Sequence, residues 1–405
     1  MRIVDLFSGA GGLTFGFYYE IKNNSFVRNK NNQFVFANEL DKMAAKAFSM
    51  NFPDLKMISG DIKDLTKEKV SKLIGEDPVD IVIGGPPCQS YSTVGPRNFD
   101  ERAVLYKEYS RILDIVRPKM FLFENVTGIL SMREVFYKKD NNGNIIYKES
   151  NIEGKTSKKP RKRPVVDHYG EKIIDIITRL FKNSGYKITH QKLNAVDFGV
   201  PENRERVFII GIRDDLSINW SLDSPKDNTV LSIKEAISDL PRVGEGQEKK
   251  KYDKEPRNDY QRLMRANSAG LTQHYCGTYG EKIRMVIKNV RQGQGKNDFN
   301  KLVDDGIIDE EYRLTSGYAN TYGRLEANKP CTTITDNLST PSALRCIHYR
   351  QNRALTPREG ARIQSFPDWF QFAGTKTNVT TQIGNAVPPL LAMKIAKRIE
   401  ILLKG

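Results

Sequence analysis

The sequence is poor in the residues that build metal sites and disulfide frameworks. Its 405 residues hold only four histidines and four cysteines, Cys88, Cys276, Cys331 and Cys346. No Cys-x-x-Cys pair occurs, so the spacing argues against structural zinc and against disulfide bonds. Each cysteine is therefore expected to be either a packing residue or a nucleophile.

Long apolar runs are also missing. No run approaches the roughly 18 residues of a membrane span, and Asp5 interrupts the N-terminus where a secretory signal would remain apolar. We therefore expect a soluble, cytoplasmic protein with no membrane partner. The chain has 64 Lys and Arg against 49 Asp and Glu, a net charge of +15, which indicates an acidic partner.

Apolar, β-rich runs alternate with segments of helical periodicity in the first half of the chain. The runs are residues 2–7, 34–38, 56–59, 80–84, 120–125, 187–194 and 206–212. Strands that are apolar on both faces are typical of a parallel sheet covered by helices. The pattern predicts a doubly wound α/β domain with a mostly parallel sheet at residues 1–213.

Later segments break this alternation. Residues 138–163 are polar and basic, and we expect a solvated, mobile insertion there rather than a loop that grips DNA. Residues 214–352 are charge-rich and irregular, which predicts a smaller second domain. Helical periodicity returns near the end of the last segment, 353–405.

The first candidate site is a glycine-rich turn between the first strand and the next helix. Gly9 and Gly11 would let backbone amides approach a ligand there, although an ordinary tight turn gives the same pattern. Asp5, Glu39 and Asp61 stand at the carboxyl ends of three successive strands. Acids at this edge of the sheet outline an adenosine pocket, and an adenosine-containing cofactor is the simplest interpretation.

Two further residues have chemical potential. Cys88 follows the fourth strand in a loop with Pro86 and Pro87, whereas a packing cysteine would be expected inside a strand, so the loop favours a nucleophile. Glu124 ends an otherwise apolar strand, where desolvation should raise its pKa and suit it to protonate a ring nitrogen. For Glu124 alone, a helix cap or a salt bridge is an equal alternative.

Taken in order, these motifs resemble those of the DNA (cytosine-5) methyltransferases. The matching segments are residues 5–13, 38–41, 60–62, 84–92, 124–126, 201–211, 353–367 and 382–389. They span almost the whole chain. The combination of Pro-Cys-Gln, Glu-Asn-Val and Gln-Ile-Gly-Asn-Ala-Val-Pro-Pro is far more specific than any one of them.

The resemblance implies the fold of S-adenosylmethionine-dependent methyltransferases and methylation of a flipped-out cytosine at C5 within a short double-stranded DNA site. Cys88 would attack C6, and Glu124 would hold N3. Arg204 and Arg206 match the family's Arg-x-Arg, although surface salt bridges are the alternative, and Glu202 replaces its usual Gln. The implied cofactor residues are Phe7, Gly9, Gly11, Glu39, Asp61, Ile62, Pro86 and Asn385.

The resemblance also assigns residues 214–352 to target recognition and residues 353–364 to a brace between the domains. Possible base or phosphate contacts in the recognition segment, most of them expected to hold phosphates or the fold, are Tyr260, Arg262, Arg265, Tyr318, Tyr322 and Arg324. Cys276, Cys331, Cys346 and His274 are expected to pack. The absence of an appended reader domain indicates a monomeric bacterial enzyme paired with a restriction endonuclease.

Three alternatives were weighed. A tRNA cytosine-5 methyltransferase would carry the same motifs, but the long recognition segment and the basic charge favour duplex DNA. A nicotinamide-dependent dehydrogenase lacks support because Gly-x-Gly-x-x-Gly is missing and Cys88 and Glu124 would have no role. A catalytically dead DNA-binding regulator would not need to keep the nucleophile, the acid and the cofactor turn together.

Overall fold

The computed structural model describes residues 1–87, 105–150, 161–221 and 230–404, without the side chains of 149–150 and 161–163. The strands are β1 (Arg2–Leu6), β2 (Tyr19–Lys22), β3 (Ser25–Arg28), β4 (Gln33–Glu39), β5 (Met57–Ser59), β6 (Ile81–Gly84), β7 (Met120–Val126), β8 (Arg133–Tyr137), β9 (Tyr147–Ser150), β10 (Arg161–Pro164), β11 (Val166–Lys172), β12 (Tyr186–Asn194), β13 (Glu202–Asn203), β14 (Glu205–Arg213) and β15 (Cys331–Thr332). The helices are α1 (Gly12–Tyr18), α2 (Lys42–Asn51), α3 (Lys67–Ile74), α4 (Leu105–Val116), α5 (Ile173–Asn183), α6 (Ile233–Ile237), α7 (Asp259–Arg265), α8 (Glu281–Asn289), α9 (Lys296–Asp304), α10 (Pro357–Ile363), α11 (Lys376–Asn385) and α12 (Pro389–Lys404).

A seven-stranded sheet forms the centre of the molecule, in the order β12-β14-β7-β6-β1-β4-β5. The pairs from β7 through β6, β1 and β4 to β5 are parallel, whereas β14 is antiparallel to both of its neighbours. All seven apolar runs are strands of this sheet. The predicted doubly wound, mostly parallel α/β fold is confirmed.

The two faces of the sheet bury separate apolar clusters, because successive side chains along a strand point to opposite sides. Ile3 and Ile83 join one cluster with helices α1, α2 and α12. Val4 and Val82 join the other, which is covered by α3, α4 and α5. Because β7, β6, β1, β4 and β5 are parallel, their carboxyl ends lie along one edge of the sheet. This edge carries the candidate site.

The irregular segment is not a separate unit in its packing. Residues of α6 and α7, including Ile233 and Met264, lie in the same cluster as α1 and α12. A third, small cluster is confined to α8, α9 and the chain up to Tyr322.

The basic insertion, where we expected a solvated, mobile segment, contains strands in its described part. There, β9 pairs antiparallel with β10, and just outside the insertion β8 pairs antiparallel with β11. Among the described residues, no helix has both the length and the apolar character needed to cross a bilayer.

Candidate active site

Glu124 lies at the carboxyl end of β7, beside a single guanidinium. Its Oε1 is 3.1 Å from Nε of Arg206, and only 12–13% of either side chain is exposed. Arg206 reaches Glu124 because it faces Val126 across the β14–β7 pair. Burial raises the pKa of Glu124, and the charges of Arg206 and, more weakly, Arg204 partly offset that rise. The site thus holds a carboxyl group that keeps a proton more readily than an exposed glutamate.

The loop that carries Cys88 begins against this acid. A Cβ atom at Gly85 would lie only 2.7 Å from Oε2 of Glu124, so a larger residue there would displace the carboxylate. Nδ2 of the buried Asn125 donates to the Pro86 carbonyl oxygen at 3.3 Å. Cys88 itself lies outside the described residues. The structure therefore shows how the start of its loop is fixed to Glu124 and Asn125.

Arg204 is completely buried and connects three distant segments. Its guanidinium donates to the carbonyl oxygens of Ile334, at 2.9 Å, and Gly384, at 2.6 Å. Glu202 is equally buried, 3.5 Å from Arg204, and accepts a hydrogen bond from the Ile334 amide. Burial raises the pKa of Glu202, and Arg204 partly lowers it. Because Glu202 faces Arg204 inside the protein, its replacement of the family's glutamine does not place an anion on the surface.

The glycine-rich turn after β1 is shaped around Glu39. The Glu39 carboxylate accepts hydrogen bonds from the Gly9 and Asp41 amides, both at 2.8 Å. Phe7, Gly9 and Gly11 all have positive φ, and a Cβ at Gly11 would strike the Phe52 ring. Burial raises the pKa of Glu39. Each carboxylate oxygen has a second lone pair, so Glu39 can still accept a hydroxyl from a ligand.

The remaining predicted cofactor residues fall at the same edge with different surroundings. Asp61 follows β5 and caps a short turn by accepting from the Lys63 amide at 2.9 Å. Ile62 is 3% exposed and packs beneath that turn. Asn385 is exposed at the end of α11, and a Cβ at Gly12 would lie 2.4 Å from the Val387 carbonyl oxygen. The last motif therefore packs directly on the glycine-rich turn.

Two residues outside the predicted catalytic and cofactor sets support these loops, although Asp5 was noted as one of three acids at strand ends. Asp5 is completely buried in β1 and accepts a hydrogen bond from the Thr14 hydroxyl. Burial raises its pKa to about 8; the Thr14 hydrogen bond opposes this rise, and Glu39 adds to it. Gly85 is the other. A signal existed for Asp5, because an acid inside a wholly apolar strand must be neutralised or paired.

Several expected base or phosphate contacts in the recognition segment are instead structural. The guanidinium of Arg324, only 6% exposed, donates to four carbonyl oxygens and to the Asn352 side chain. Tyr260 is buried and donates to the Arg362 carbonyl oxygen. Burial keeps both residues from DNA, so of the roles expected for them, that of a fold element is the one observed. Tyr318, in contrast, is 67% exposed.

The segment from Arg353 to Gln364 contains two buried ion pairs, one within the segment and one to the recognition segment. Arg353 pairs with Glu359 at 2.6 Å, and Arg362 pairs with Asp239 at 2.8 Å. Arg358 donates to the Thr272 carbonyl oxygen at 3.0 Å. Cys276, Cys331, Cys346 and His274 are buried, as expected of packing residues.

Known proteins match the chain over nearly its full length. The family model described as C-5 cytosine-specific DNA methylase covers residues 1–149 and 163–401. The type II methyltransferase M.DdeI of Desulfomicrobium norvegicum is 34% identical, over 99% of this chain and 88% of that protein. M1.HphI of Haemophilus parahaemolyticus is 30% identical over 98% and 86%. A crystal structure from an E. coli prophage, described as that of a DNA modification methyltransferase, shares the fold with a TM-score of 0.70, 24% identity and full coverage of both chains.

Proposed function

The chain belongs to the C-5 cytosine-specific DNA methylase family, and from this premise we propose that it methylates a flipped-out cytosine through a covalent adduct between Cys88 and C6. Its relatives are type II methyltransferases, and the chain is a DNA (cytosine-5) methyltransferase of restriction-modification type. The observation that carries the proposal is the Glu124–Arg206 pair, which lies against the first residues of the Pro-Pro-Cys loop.

In the proposed mechanism, the Cys88 thiolate attacks C6 and the C5–C6 electron pair moves onto C5. Glu124, whose pKa burial raises, donates a proton to N3 and so neutralises the charge that develops in the ring. Arg206 fixes the Glu124 carboxyl and can contact the cytosine edge. C5 would use this electron pair to take up the methyl group. A base then removes the C5 proton, the C5–H electron pair re-forms the C5–C6 double bond, Cys88 leaves as thiolate and N3 returns its proton to Glu124.

S-adenosylmethionine, when bound, supplies the methyl group. The described residues fit its adenosine part. Glu39 retains acceptor capacity for ribose hydroxyls, Phe7 offers a ring for stacking, and Asp61 lies at the neighbouring strand end. Among the described residues beyond the chain neighbours, no atom lies within 4 Å of a Cβ placed at Gly9 or Gly60, so these residues leave the crevice beside Glu39 open. Gly11, Ile62, Pro86 and Asn385 would complete this wall.

The substrate that we propose is a short specific site in double-stranded DNA, read mainly by residues 214–352. We also propose that the enzyme is a cytoplasmic monomer and that a restriction endonuclease acts on the same site. The tRNA alternative gains no support from any described contact.

Cys88→Ser should abolish methyl transfer and leave DNA and cofactor affinity near wild type, because a hydroxyl is a much poorer nucleophile at neutral pH. Duplex DNA with 5-fluorocytosine at the target should trap the wild-type enzyme, since fluorine cannot leave as a proton does. The adduct would be sought on denaturing gels and mapped to Cys88 by mass spectrometry. Turnover of Cys88→Ser within about tenfold of wild type, only ~1.4 kcal/mol of barrier, would contradict the mechanism.

A further inference from the structure

The described residues 133–150 and 161–172 form a ribbon arm, in a region that the family model covers only in part. β8 and β11 make its base, and β9 and β10 pair farther out. The family match stops at residue 149 and resumes at 163. The chain between residues 149 and 163 is therefore not part of the family's common pattern.

The ribbon arm arises at the edge of the sheet that carries Glu124. The chain leaves β7 at its carboxyl end, and α5 returns it toward β12, which runs parallel to β7 because both are antiparallel to β14. Helix α5 must then begin at the edge where β7 ends. The base of the arm is closed there by buried Met132, whose carbonyl oxygen accepts from the Ile173 amide at 2.9 Å. The arm thus projects from the catalytic edge.

The sequence of the basic insertion holds much of the protein's net charge. Residues 138–163 contain nine Lys and Arg against three Asp and Glu, so 9 − 3 = +6 of the total +15 lies in 26 residues. Lys138, Lys139 and Lys148 are exposed. This density is what a polyanionic partner would require.

Aromatic side chains are exposed on the same arm. Tyr169, Tyr147 and Phe136 are 64%, 55% and 45% exposed, and the Phe136 ring stacks on His168 at 4.5 Å. An isolated two-stranded ribbon is only marginally stable in water, and rings that stay exposed to solvent add little to its stability. Exposed rings rimmed by cations indicate a contact surface.

The shape and charge of the ribbon arm fit duplex DNA. The major groove of B-DNA is about 12 Å wide and admits a two-stranded ribbon, while flanking phosphates attract Lys and Arg. We propose that the ribbon arm binds the duplex beside the methylated site, as a second DNA-contacting surface that adds affinity without choosing the sequence. The proposal rests on the action of this family on DNA.

The first test replaces Lys138, Lys139 and Lys148 together by Gln and measures DNA affinity against salt concentration. If all three contact phosphates, the slope of log affinity against log salt should become shallower by about 2.7, at ~0.9 per contact. The matched control replaces Lys30, Lys182 and Lys187, which are exposed at the opposite edge of the sheet, and should leave the slope unchanged. An equal change in the control would overturn the proposal.

The second test removes the outer arm. Tyr137 lies opposite Val166, so an Asn-Gly turn can replace residues 138–165 and keep the base of the ribbon. This variant should bind a duplex with long flanks at least tenfold more weakly than wild type, bind a duplex trimmed to the site equally well, and methylate the same sequence. Unchanged affinity for long duplexes would overturn the proposal. Loss of a protein–protein association without loss of DNA affinity would overturn it as well. Absence of methylation by the wild-type protein would refute the proposed function rather than the proposed DNA binding by the ribbon arm.

Discussion

Asp5 shows how one buried carboxyl couples stability to pH. Its pKa is about 8 in the folded protein, because burial outweighs the Thr14 hydrogen bond, whereas in the unfolded chain it ionises near its ordinary value of 3.8. Between these values the folded state holds a proton that the unfolded state releases. Stability from this residue is therefore complete below pH ~4 and falls as the pH rises, by up to about 1.4 kcal/mol per pH unit.

Asp5→Asn should flatten this dependence, because the amide is neutral at every pH and can still accept from Thr14. The free energy of unfolding would be measured by urea titration at pH 5 and at pH 7.5. We expect the difference between these two values to be smaller in Asp5→Asn than in wild type, by up to about 3 kcal/mol. Thr14→Val keeps the carboxyl and should keep the pH dependence. Parallel pH profiles for wild type and Asp5→Asn would show that Asp5 is ionised in both states.

Single residues were predictable from the sequence where local pattern decides their place. Glu124 and Glu39 end apolar strands, and that alone locates them at the ligand-binding edge. Arg204 and Arg324 could not be placed this way, because their acceptors lie far along the chain; the Gly384 carbonyl that holds Arg204 is 180 positions away. The sequence shows a cation but not the unsatisfied carbonyl groups that will surround it.

Helices and strands were predicted where apolar residues are continuous or periodic in the sequence, and they were missed where neither pattern is present. The strands of the central sheet are apolar on both faces, so each was recognisable. The strands of the ribbon arm and the β2–β3 hairpin are largely exposed and lack that signal. The reversed direction of β14 was also not predictable, because side-chain alternation is the same in parallel and antiparallel strands.

Helices α1 and α12 lie so close together that the turn of α1 facing α12 requires a glycine, Gly16. A Cβ at Gly16 would lie 2.2 Å from the backbone carbon of Ala392, so Gly16→Ala would force the two helices apart. Alanine favours a helix by about 1 kcal/mol over glycine, but a backbone clash cannot be relieved by a rotamer change. We expect the clash to prevail.

Gly16→Ala should therefore lower the free energy of unfolding by about 1–3 kcal/mol, measured as a shift of the urea midpoint. Cofactor affinity should fall with it, because α12 follows the motif that packs on Gly12. Gly277→Ala is the matched control, since no atom lies within 4 Å of its Cβ position. A stabilised Gly16→Ala variant would mean that the helices separate at little cost.

At the scale of the whole molecule, apolar packing crosses the boundaries predicted at residues 213 and 352. Ile233 and Met264 share a cluster with the catalytic sheet, and Asp239 holds Arg362 of the bracing segment. Within the described part of residues 214–352, only residues 286–322 bury an apolar cluster of their own. Composition distinguishes an irregular segment from a regular one, but it cannot show which part of that segment packs on its neighbours.

This packing decides how a recognition segment should be exchanged between related enzymes. A graft of residues 214–348 would cut the Asp239–Arg362 pair and the contact of Thr272 with Arg358. Two buried guanidinium groups would then depend on their remaining acceptors in residues 367–370. That loss costs several kcal/mol. A graft of residues 280–323 cuts the bonds of Arg324 to the Ile287 and Val290 carbonyl oxygens, which can form with another helix. It also cuts backbone hydrogen bonds and the exposed Arg284–Glu245 pair, but no buried ion pair given for the described residues.

We therefore expect residues 280–323 to carry at least part of the base readout, with exposed Tyr318 among them. Moved into a related cytosine-5 methyltransferase, this shorter segment should give a folded enzyme that shifts methylation toward the donor's site, as determined by conversion sequencing of the host DNA. The longer graft should transfer the same preference but unfold at lower urea concentration. If the shorter chimera is active yet keeps the recipient's site unchanged, the bases are read by residues that pack with the catalytic core, and recognition cannot be separated from the fold.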